Sequence, residues 1–416
     1  MRNGLLKILS LFLLAGAIAL SPSFPVGTLS SGKVIEIRVE DILIAVLGLI
    51  WIVEFFLSSK KKIEKPPLFL PVLAWLGIGF ISVLTNWIFG TLGFERGFFY
   101  FLKEVEFFVF YFYVFYQTAE FSLVKKIVNI WFLLAGINFL YVFYQLIVGA
   151  PPGKYGEYAI GAICEWGVFP SGCFFLLLFI FLSNIFLYYF RNLNISNFKK
   201  GLLYFIGASP LIGAVGSGSK TVFLAVILSL FLTSVLLLRI KPDKKSLFWI
   251  FILFVTAFVF IFSVYVRAPA VHRRVNALLN FQTLSNDIKS DRLVFIDDSL
   301  KRVLEREDLS SAMIGFGAGY MGEVHNQYLR NFIETGIIGS ILFLILISVI
   351  IKKSWDGITK RKDDLSIGLS SGLLIATLAM LFCGLTTSPF FVVKPAEVYW
   401  FFTALTMAVF VINKRD

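Results

Sequence analysis

His325 is the side chain of this sequence best suited to acid–base chemistry. It stands with Asn326 where a polar stretch of the chain changes to a long apolar run. An imidazole titrates near neutral pH and can act as a general base toward a hydroxyl group. Asn326 is a suitable N-cap for the helix that the apolar run predicts. The alternative interpretation of His325 is a solvated histidine at the edge of an apolar segment.

A second group of residues consists of cations that could bind an anion. Lys220 follows Gly216-Ser-Gly-Ser219, a stretch rich in backbone N–H groups and hydroxyls that suit phosphate oxygens. Each cation could instead pair with a carboxylate or with an anionic lipid headgroup. The candidate anion-binding residues are Ser219, Lys220, Arg273, Arg274 and Arg292.

A glycine-rich stretch, Gly315-Phe-Gly317-Ala-Gly319, lies shortly before His325. Because glycine has no Cβ atom, such a stretch permits close approach of the backbone to a ligand. We therefore include Gly315 and Gly317 among the residues that could support a site around His325.

The composition indicates which elements must position these residues. Of the 416 residues, 58% are hydrophobic and only 15% are charged, whereas about a quarter are charged in soluble domains. The mean hydropathy of +0.84 and repeated apolar runs of about 20 residues predict a polytopic membrane protein. The shorter, alternating segments of a transmembrane β-barrel are not apparent. The predicted fold class is all-α.

The apolar runs predict about 12 transmembrane helices in a single integral membrane domain, residues 1–416. The first run is interpreted as an uncleaved span, because a second span follows closely. The predicted spans cover residues 5–21, 41–57, 68–89, 97–117, 127–148, 169–190, 201–215, 222–238, 247–266, 328–351, 365–385 and 398–412. A long, partly helical loop, residues 267–327, joins spans 9 and 10 and carries most of the candidate site. Its predicted amphipathic segment begins at Arg292.

The distribution of Lys and Arg predicts the orientation. With both termini in the cytoplasm, the cytoplasmic segments hold 22 Lys and Arg and the short opposite loops hold 6. Cytoplasmic loops of membrane proteins collect these residues, so the loop 267–327 is expected outside the cytoplasm. The same bias accounts for the net charge of +12 without a nucleic-acid partner, for which no binding motif is present.

Three charged residues interrupt an otherwise aromatic run in the fourth predicted span. Lys103 and Glu106 are three positions apart, so they share a helix face and can neutralise each other, while Glu104 points elsewhere. We predict a buried structural pair. The alternative is a proton or ion pathway, because charges inside a membrane often mark one.

Several catalytic classes lack their motifs. The sequence has no Walker A loop, no HExxH, no GxSxG and no Asp-x-Asp metal motif, so no metal and no cofactor is predicted. A site outside the cytoplasm has no access to ATP or nucleotide sugars. A donor must arrive already activated, and a lipid-linked diphosphate sugar fits this requirement. Cys164 and Cys173 could pair across a loop or could be small core residues; with Cys383 they form no metal-ligand spacing.

The chain resembles the O-antigen ligase and O-antigen polymerase superfamily of bacterial envelope glycosyltransferases. The resemblance is best over residues 201–351, and the flanking spans match in number and layout. It is carried by Ser217-Gly-Ser-Lys220-Thr221, Ser290-Asp-Arg292, Gly315-Phe-Gly-Ala-Gly319, His325-Asn-Gln-Tyr328-Leu329 and Glu334-Thr-Gly336-Ile-Ile-Gly339.

The resemblance implies transfer of a glycan from undecaprenyl pyrophosphate to an acceptor hydroxyl at the periplasmic face of the bacterial inner membrane. No metal or nucleotide is involved. His325 would take the proton of the acceptor hydroxyl, and Arg292 and Lys220 would hold the pyrophosphate. The family usually has arginine where Lys220 stands, and lysine offers a point charge instead of a bidentate fork. The supporting residues are Gly315, Gly317, Asn326, Tyr328 and Glu334.

The acceptor separates the branches of this family. A ligase uses lipid A–core, and this is our first expectation from the compact length and the His-Asn-x-Tyr-Leu string. A polymerase uses another lipid-linked repeat unit, and transfer to protein would need the same site. A transporter of lipid-linked glycan is the alternative from a different class. It predicts charges at mid-membrane depth, where only the Lys103–Glu106 group qualifies.

Overall fold

The computed structural model describes residues 2–20, 23–28, 34–57, 65–118, 120–148, 158, 167–280, 301, 309–321 and 324–412. Helices follow the apolar runs, because a helix satisfies its own backbone N–H and C=O groups in a medium without water. The helices are α1 (Arg2–Leu20), α2 (Val39–Leu57), α3 (Phe69–Ile88), α4 (Phe94–Gln117), α5 (Phe121–Val148), α6 (Val168–Tyr188), α7 (Asn197–Ala208), α8 (Pro210–Gly216), α9 (Lys220–Ile240), α10 (Lys244–Arg267), α11 (Pro269–Leu279), α12 (Leu309–Ile314), α13 (Gln327–Thr359), α14 (Asp364–Cys383) and α15 (Val393–Ile412).

Eight of the described helices are long and apolar enough to cross a membrane: α3, α5, α6, α9, α10, α13, α14 and α15. This confirms the prediction of a multi-pass helical membrane protein. Helices α1, α2 and α4 and the α7–α8 pair occupy the remaining predicted spans. The total of about 12 spans therefore stays a prediction.

The centre of the bundle is formed by α6, α14 and α15. About 94% of the apolar stretch of α6 is buried, against 83% in α14 and α15 and 22% in α10. A helix that is apolar on every side lies inside a bundle or in contact with lipid. Helices α6, α14 and α15 are of the first kind, and α10 is of the second. The outward side chains of α10 include Phe251, Phe258 and Phe262, which are exposed on the protein surface and suit lipid contact.

The predicted span 201–215 is divided into α7 and α8, which corrects that boundary. Pro210 has no backbone N–H and its ring clashes with the carbonyl four residues earlier, so the helical hydrogen bonding is interrupted there. The hydroxyl of Ser209 donates to the carbonyl of Ile206 at 2.9 Å. In a continuous helix that carbonyl would accept from the N–H of residue 210, which proline lacks, so the Ser209 hydroxyl replaces the missing donor.

Helix α13 also contains a break, at Gly336, where φ is 67° and ψ is −165°. Beyond it the helix runs to Thr359, past the predicted end of span 10. The positive φ lies in the left-handed region that glycine adopts without a steric penalty. The consequence for the candidate site is described below.

The connection between α1 and α2 contains a two-stranded antiparallel sheet. Strands β1 (Ser23–Thr28) and β2 (Val34–Arg38) pair antiparallel, with Ser23 opposite Arg38. Helix α2 follows β2 directly, so the hairpin sits at the start of that helix.

Within the described residues of the predicted loop 267–327, two helices can be delimited. Helix α11 follows α10 after a single residue, Ala268, and α12 precedes the glycine-rich stretch. The predicted amphipathic segment that begins at Arg292 lies outside the described residues. Cys164 also lies outside them, while Cys173 and Cys383 are buried free thiols, so pairing of Cys164 stays a prediction.

Candidate functional site

The start of α9 forms one wall of a hollow that carries two of the predicted cations. Ser219 is the N-cap of α9 and its hydroxyl accepts from the backbone N–H of Val222 at 3.5 Å. The hollow is small and partly open to solvent. Its lining comes from the α8–α9 junction (Val215, Gly218, Ser219, Lys220 and Phe223) and from α11 (Val271, Arg274, Val275 and Leu278).

Arg274 closes the hollow from the side of α11. Its Nη1 atom donates to the carbonyl oxygen of Gly218 at 3.3 Å, and its guanidinium lies 5.0 Å from the ring centroid of Tyr158. Gly218 has φ of +69°, and a Cβ atom there would meet the Tyr158 ring at 2.6 Å. The tight turn before α9 thus brings two side chains with positive charge, Lys220 and Arg274, to one small space.

The electrostatic character of this hollow is suited to an anion. The positive end of the α9 helix dipole adds to the charges of Lys220 and Arg274, and the first backbone N–H groups of a helix have no carbonyl partner within it. In the wall of the hollow the structure brings together Ser219, Lys220 and Arg274 of the predicted residues. Arg273, the neighbour on α11, is exposed and does not line it.

The connection between α14 and α15 links this hollow to His325. Thr221, next to Lys220, shares a hydrogen bond of 2.7 Å with Thr386. Asn326, next to His325, donates through Nδ2 to the carbonyl oxygen of Leu385 at 3.1 Å. Adjacent residues of one short segment therefore contact the immediate neighbours of both Lys220 and His325, which lie at the same end of the bundle.

His325 is exposed at the start of α13. The predicted cap is confirmed: Asn326 accepts from the backbone N–H of Leu329 at 2.9 Å. The backbone N–H of Gln327 donates to the carbonyl of Gly384 at 2.8 Å, and Tyr328 Oη donates to the carbonyl of Leu381 at 2.9 Å. These bonds fix the first turn of α13 against the end of α14, and with it the backbone that carries His325.

The glycine-rich stretch approaches the protein's own backbone. The N–H of Phe316 donates to the carbonyl of Ile333 at 2.7 Å, and that of Gly317 to the carbonyl of Glu334 at 3.1 Å. A Cβ atom on Gly315 would meet the backbone of Glu334 at 2.5 Å. Gly315 and Gly317 have positive φ, as this path requires. Gly315 approaches α13, and Gly317 approaches Leu92 in the connection between α3 and α4, so both glycines shape the loop that precedes His325.

Glu334 is the polar centre of this packing. It is buried, and Oε1 accepts from the backbone N–H of Gly319 at 2.9 Å while Oε2 accepts from Nε of Arg330 at 3.0 Å. The guanidinium of Arg330 also lies 4.1 Å from the ring centroid of Phe391. A carboxylate with two such bonds holds the loop and the first turns of α13 in one arrangement.

Helix α3 supports the same loop from its far side. Asn86 donates through Nδ2 to the carbonyl of Gly315 at 2.8 Å, and the hydroxyl of Ser82 donates to the carbonyl of Glu334 at 2.7 Å. Sequence reasoning missed Ser82, Asn86, Arg330 and Thr386, because each acts through a partner distant in the chain. A polar side chain in an apolar span was the available signal for Ser82 and Asn86.

The predicted residues therefore separate into three groups. Ser219, Lys220 and Arg274 share the hollow; His325, Asn326 and Tyr328 lie at the start of α13; and Gly315, Gly317 and Glu334 form the packing beneath it. Arg292 lies outside the described residues, so its predicted role stays a prediction.

The described residues contain one group of carboxylates that could share a cation, Asp41, Glu106 and Glu397, and it is separate from these three groups. The sequence matches none of the protein-family models and none of the curated proteins with which it was compared.

Proposed function

We propose that this protein is a membrane glycosyltransferase that moves a glycan from undecaprenyl pyrophosphate to an acceptor hydroxyl at the periplasmic face of the inner membrane. The observation that carries the proposal is the arrangement around the α14–α15 connection. Thr386 and Leu385 contact the neighbours of Lys220 and His325, which brings a hollow lined by two cations and an exposed imidazole to one end of the bundle.

The hollow supplies the part of the site that would hold the donor's pyrophosphate. Lys220 and Arg274 provide charge, and the α9 N-terminus with Ser219 provides further donors. Cations and N–H groups placed around a leaving pyrophosphate stabilise the negative charge that develops on it during transfer. Arg292 is proposed as a further cation of the same site on the resemblance alone.

The reaction is a single displacement at the anomeric carbon of the donor sugar. The acceptor oxygen forms a bond to that carbon while the bond to the phosphate oxygen breaks, and undecaprenyl pyrophosphate leaves with the bonding electrons. His325 takes the proton of the acceptor hydroxyl. One displacement inverts the configuration at the anomeric carbon.

We propose lipid A–core as the acceptor, which makes the protein an O-antigen ligase. The length of the chain and the His325-Asn-Gln-Tyr-Leu329 string support this choice. An O-antigen polymerase would use the same groups with a lipid-linked repeat unit as acceptor. An assay that offers lipid A–core as the acceptor distinguishes the two enzymes.

The test is glycan transfer by the purified protein in phospholipid vesicles, with the undecaprenyl-pyrophosphate-linked glycan supplied alone or together with lipid A–core. Product on the core identifies a ligase, and longer glycans on the carrier lipid identify a polymerase. The His325→Ala variant is expected to lose about 10²–10⁴-fold in rate, which is the usual contribution of a positioned base.

The chain offers a matched control for that variant. His272, the other histidine of the sequence, is exposed on α11, and His272→Ala should transfer at the wild-type rate. Lys220→Ala should reduce the rate about 10²-fold, as loss of one stabilising donor does in other enzymes, and Lys220→Arg should restore it. Transfer by His325→Ala near the rate of His272→Ala would refute the proposed role of His325.

A further inference from the structure

A second polar cluster lies between α1, α2, α4 and α15, apart from the candidate site. It contains seven charged side chains in contact with one another: Arg38, Glu40, Asp41, Lys103, Glu106, Lys394 and Glu397. They come from the end of β2, the start of α2, the middle of α4 and the start of α15.

The inner part of this cluster is closed to solvent. Lys394 and Glu397 have no exposed surface, and Arg38 is only 3% exposed. Lys394 Nζ donates to Glu40, lies 3.4 Å from Glu397 Oε2 and also donates to the carbonyl of Ile18 in α1 at 3.4 Å. Arg38 Nη1 lies 3.6 Å from Glu397 Oε1. Isolated charges are costly here, so each is expected to be paired.

The outer part of the cluster contains the predicted pair of α4. Lys103 Nζ is 2.9 Å from Glu106 Oε2 and 3.4 Å from Asp41 Oδ2. The predicted pairing is confirmed, whereas both side chains are partly exposed and the pair is not fully buried. One carboxylate oxygen from each of Asp41, Glu106 and Glu397 lies within 4.8 Å of the other two.

Four oxygens of this carboxylate triad accept no hydrogen bond, and three of them lie 3.4–3.6 Å from a nitrogen of Arg38 or Lys394. They are Asp41 Oδ1, Glu106 Oε1 and both carboxylate oxygens of the fully buried Glu397. Carboxylate oxygens this close to one another repel unless a positive charge or a shared proton lies between them.

Among the described members of the cluster, carboxylates outnumber cations. Four carboxylates, Glu40, Asp41, Glu106 and Glu397, lie against three cations, Arg38, Lys103 and Lys394. Carboxylates crowded together in a low-dielectric interior carry a large desolvation penalty, which protonation of one of them lowers.

We propose that the carboxylate triad of Asp41, Glu106 and Glu397 is a proton-binding site that holds one shared proton. A single proton removes one of the crowded negative charges and converts one unbonded oxygen into a donor for a neighbouring oxygen. Calcium and magnesium would require six or more oxygen ligands, whereas the oxygens here already face Arg38, Lys103 and Lys394.

Glu106→Gln mimics the protonated carboxyl group in shape and charge. Its amide oxygen can keep the hydrogen bond from Lys103, and its NH₂ group can donate to the oxygens of Asp41 or Glu397 as the shared proton does. The variant should therefore fold without the shared proton, and the part of the pH dependence of stability that comes from the triad should be absent.

The measurement is the thermal unfolding midpoint of the purified full-length protein in detergent between about pH 6 and 9. The folded protein holds a proton that the unfolded chain releases above a pKa of about 4.3, so this stabilisation is complete at lower pH and is lost as the pH rises. The wild-type midpoint should fall by on the order of 1–2 °C per pH unit relative to that of Glu106→Gln.

Two further measurements keep the test decisive. Lys103→Met raises the excess negative charge by one, so its midpoint should fall more steeply with pH than the wild type. If that variant does not fold, Glu397→Gln should lose the pH dependence as Glu106→Gln does. A wild-type slope in Glu106→Gln would overturn the proposal. So would a wild-type midpoint that responds to replacing Na⁺ by choline and not to pH, since a metal ion would then occupy the triad.

Discussion

At the scale of single residues, Gly336 determines how the start of α13 meets the rest of the molecule. In a continuous helix the carbonyls of Ile333 and Glu334 would accept from residues 337 and 338. The break at Gly336 redirects the chain, and these carbonyls accept from Phe316, Gly317 and Ser82 instead. One residue with positive φ thereby converts two helix carbonyls into an anchor for the glycine-rich loop.

We expect Gly336→Ala to be strongly destabilising. A side chain at φ of +67° costs about 1–3 kcal/mol, and the new Cβ atom would lie 2.4 Å from the backbone of Met313, which cannot move as a flexible side chain could. The thermal midpoint in detergent should fall by several degrees, and the variant should also lose transfer activity because the loop before His325 is displaced.

Gly77→Ala is the matched control for that variant. Gly77 lies within α3, and a Cβ atom there would meet nothing within 4 Å. Alanine is favoured over glycine inside a helix by about 0.5–1 kcal/mol, so this variant should be as stable as the wild type or more so. Equal midpoints for the two alanine variants would contradict the importance of the break.

At the scale of elements, Asn326 joins two helices through opposite ends of one amide. Its Oδ1 atom caps α13 by accepting from Leu329, and its Nδ2 atom donates to the carbonyl of Leu385 after α14. The same residue is adjacent to His325. A substitution can therefore remove the bond to Leu385 while it keeps the oxygen that caps α13.

Asn326→Asp keeps the capping oxygen and loses the donor, whereas Asn326→Ala loses both. We expect Asn326→Ala to reduce the free energy of unfolding by about 0.5–2 kcal/mol, and Asn326→Asp to retain most of the stability of the wild type. Both should transfer glycan more slowly, because the α14–α15 connection is no longer tied to the neighbour of His325. Full activity in Asn326→Asp would show that the bond to Leu385 does not position the site.

The elements themselves could largely be predicted from the sequence. Long apolar runs indicated the helices, and the confirmed cap at Asn326 and the Lys103–Glu106 pair both involve residues close in the chain. The break at Pro210 follows from proline's missing N–H, yet the apolar run through it is unbroken. Hydropathy indicates which segments are buried in lipid or protein, but it does not indicate where the backbone hydrogen bonds of a helix are interrupted.

The candidate site was less predictable, for a physical reason. The sequence indicates which residues share a helix face, but the bonds from Ser82 to Glu334 and from Thr221 to Thr386 depend on how helices pack. The glycine-rich stretch illustrates the same limit. Its glycines indicate close approach of a backbone, and only the packing shows that Gly315 approaches the backbone of α13 while Gly317 and Gly319 approach Leu92 and Tyr100.

At the scale of the whole molecule, the cluster of seven charged side chains joins elements that are far apart in the chain. Lys394 pairs with Glu40 across most of the chain, which joins α15 to α2, and Arg38 adds the end of β2. Helix α4 carries Lys103 and Glu106 toward this cluster, while the adjacent Glu104 lies within the electrostatic influence of Glu334 and Arg330. One helix therefore borders both the proton site that we propose and the packing beneath His325.

The orientation of the molecule in the membrane can be tested with two cysteines at opposite ends of α10. Phe198 is exposed at the start of α7. This end of α7 lies near the beginning of α10, because Arg191, shortly before α7, donates to Ser246 in the first turn of α10 at 3.0 Å. Asn276 is exposed on α11, which follows the end of α10. The 24 residues of α10 separate the two ends by about 36 Å, enough to cross the hydrocarbon core.

The excess of Lys and Arg on the side of Phe198 predicts that this end is cytoplasmic. In a Cys164→Ser background, where Cys173 and Cys383 are buried, Asn276→Cys should react with a membrane-impermeant maleimide in intact cells. Phe198→Cys should react only after the inner membrane is permeabilised. The reverse pattern would place both His325 and the hollow that contains Lys220 on the cytoplasmic side. A donor displayed on the outer leaflet could not reach them there, so this result would exclude the proposed transfer. The proposed proton site does not depend on the orientation and would be unaffected.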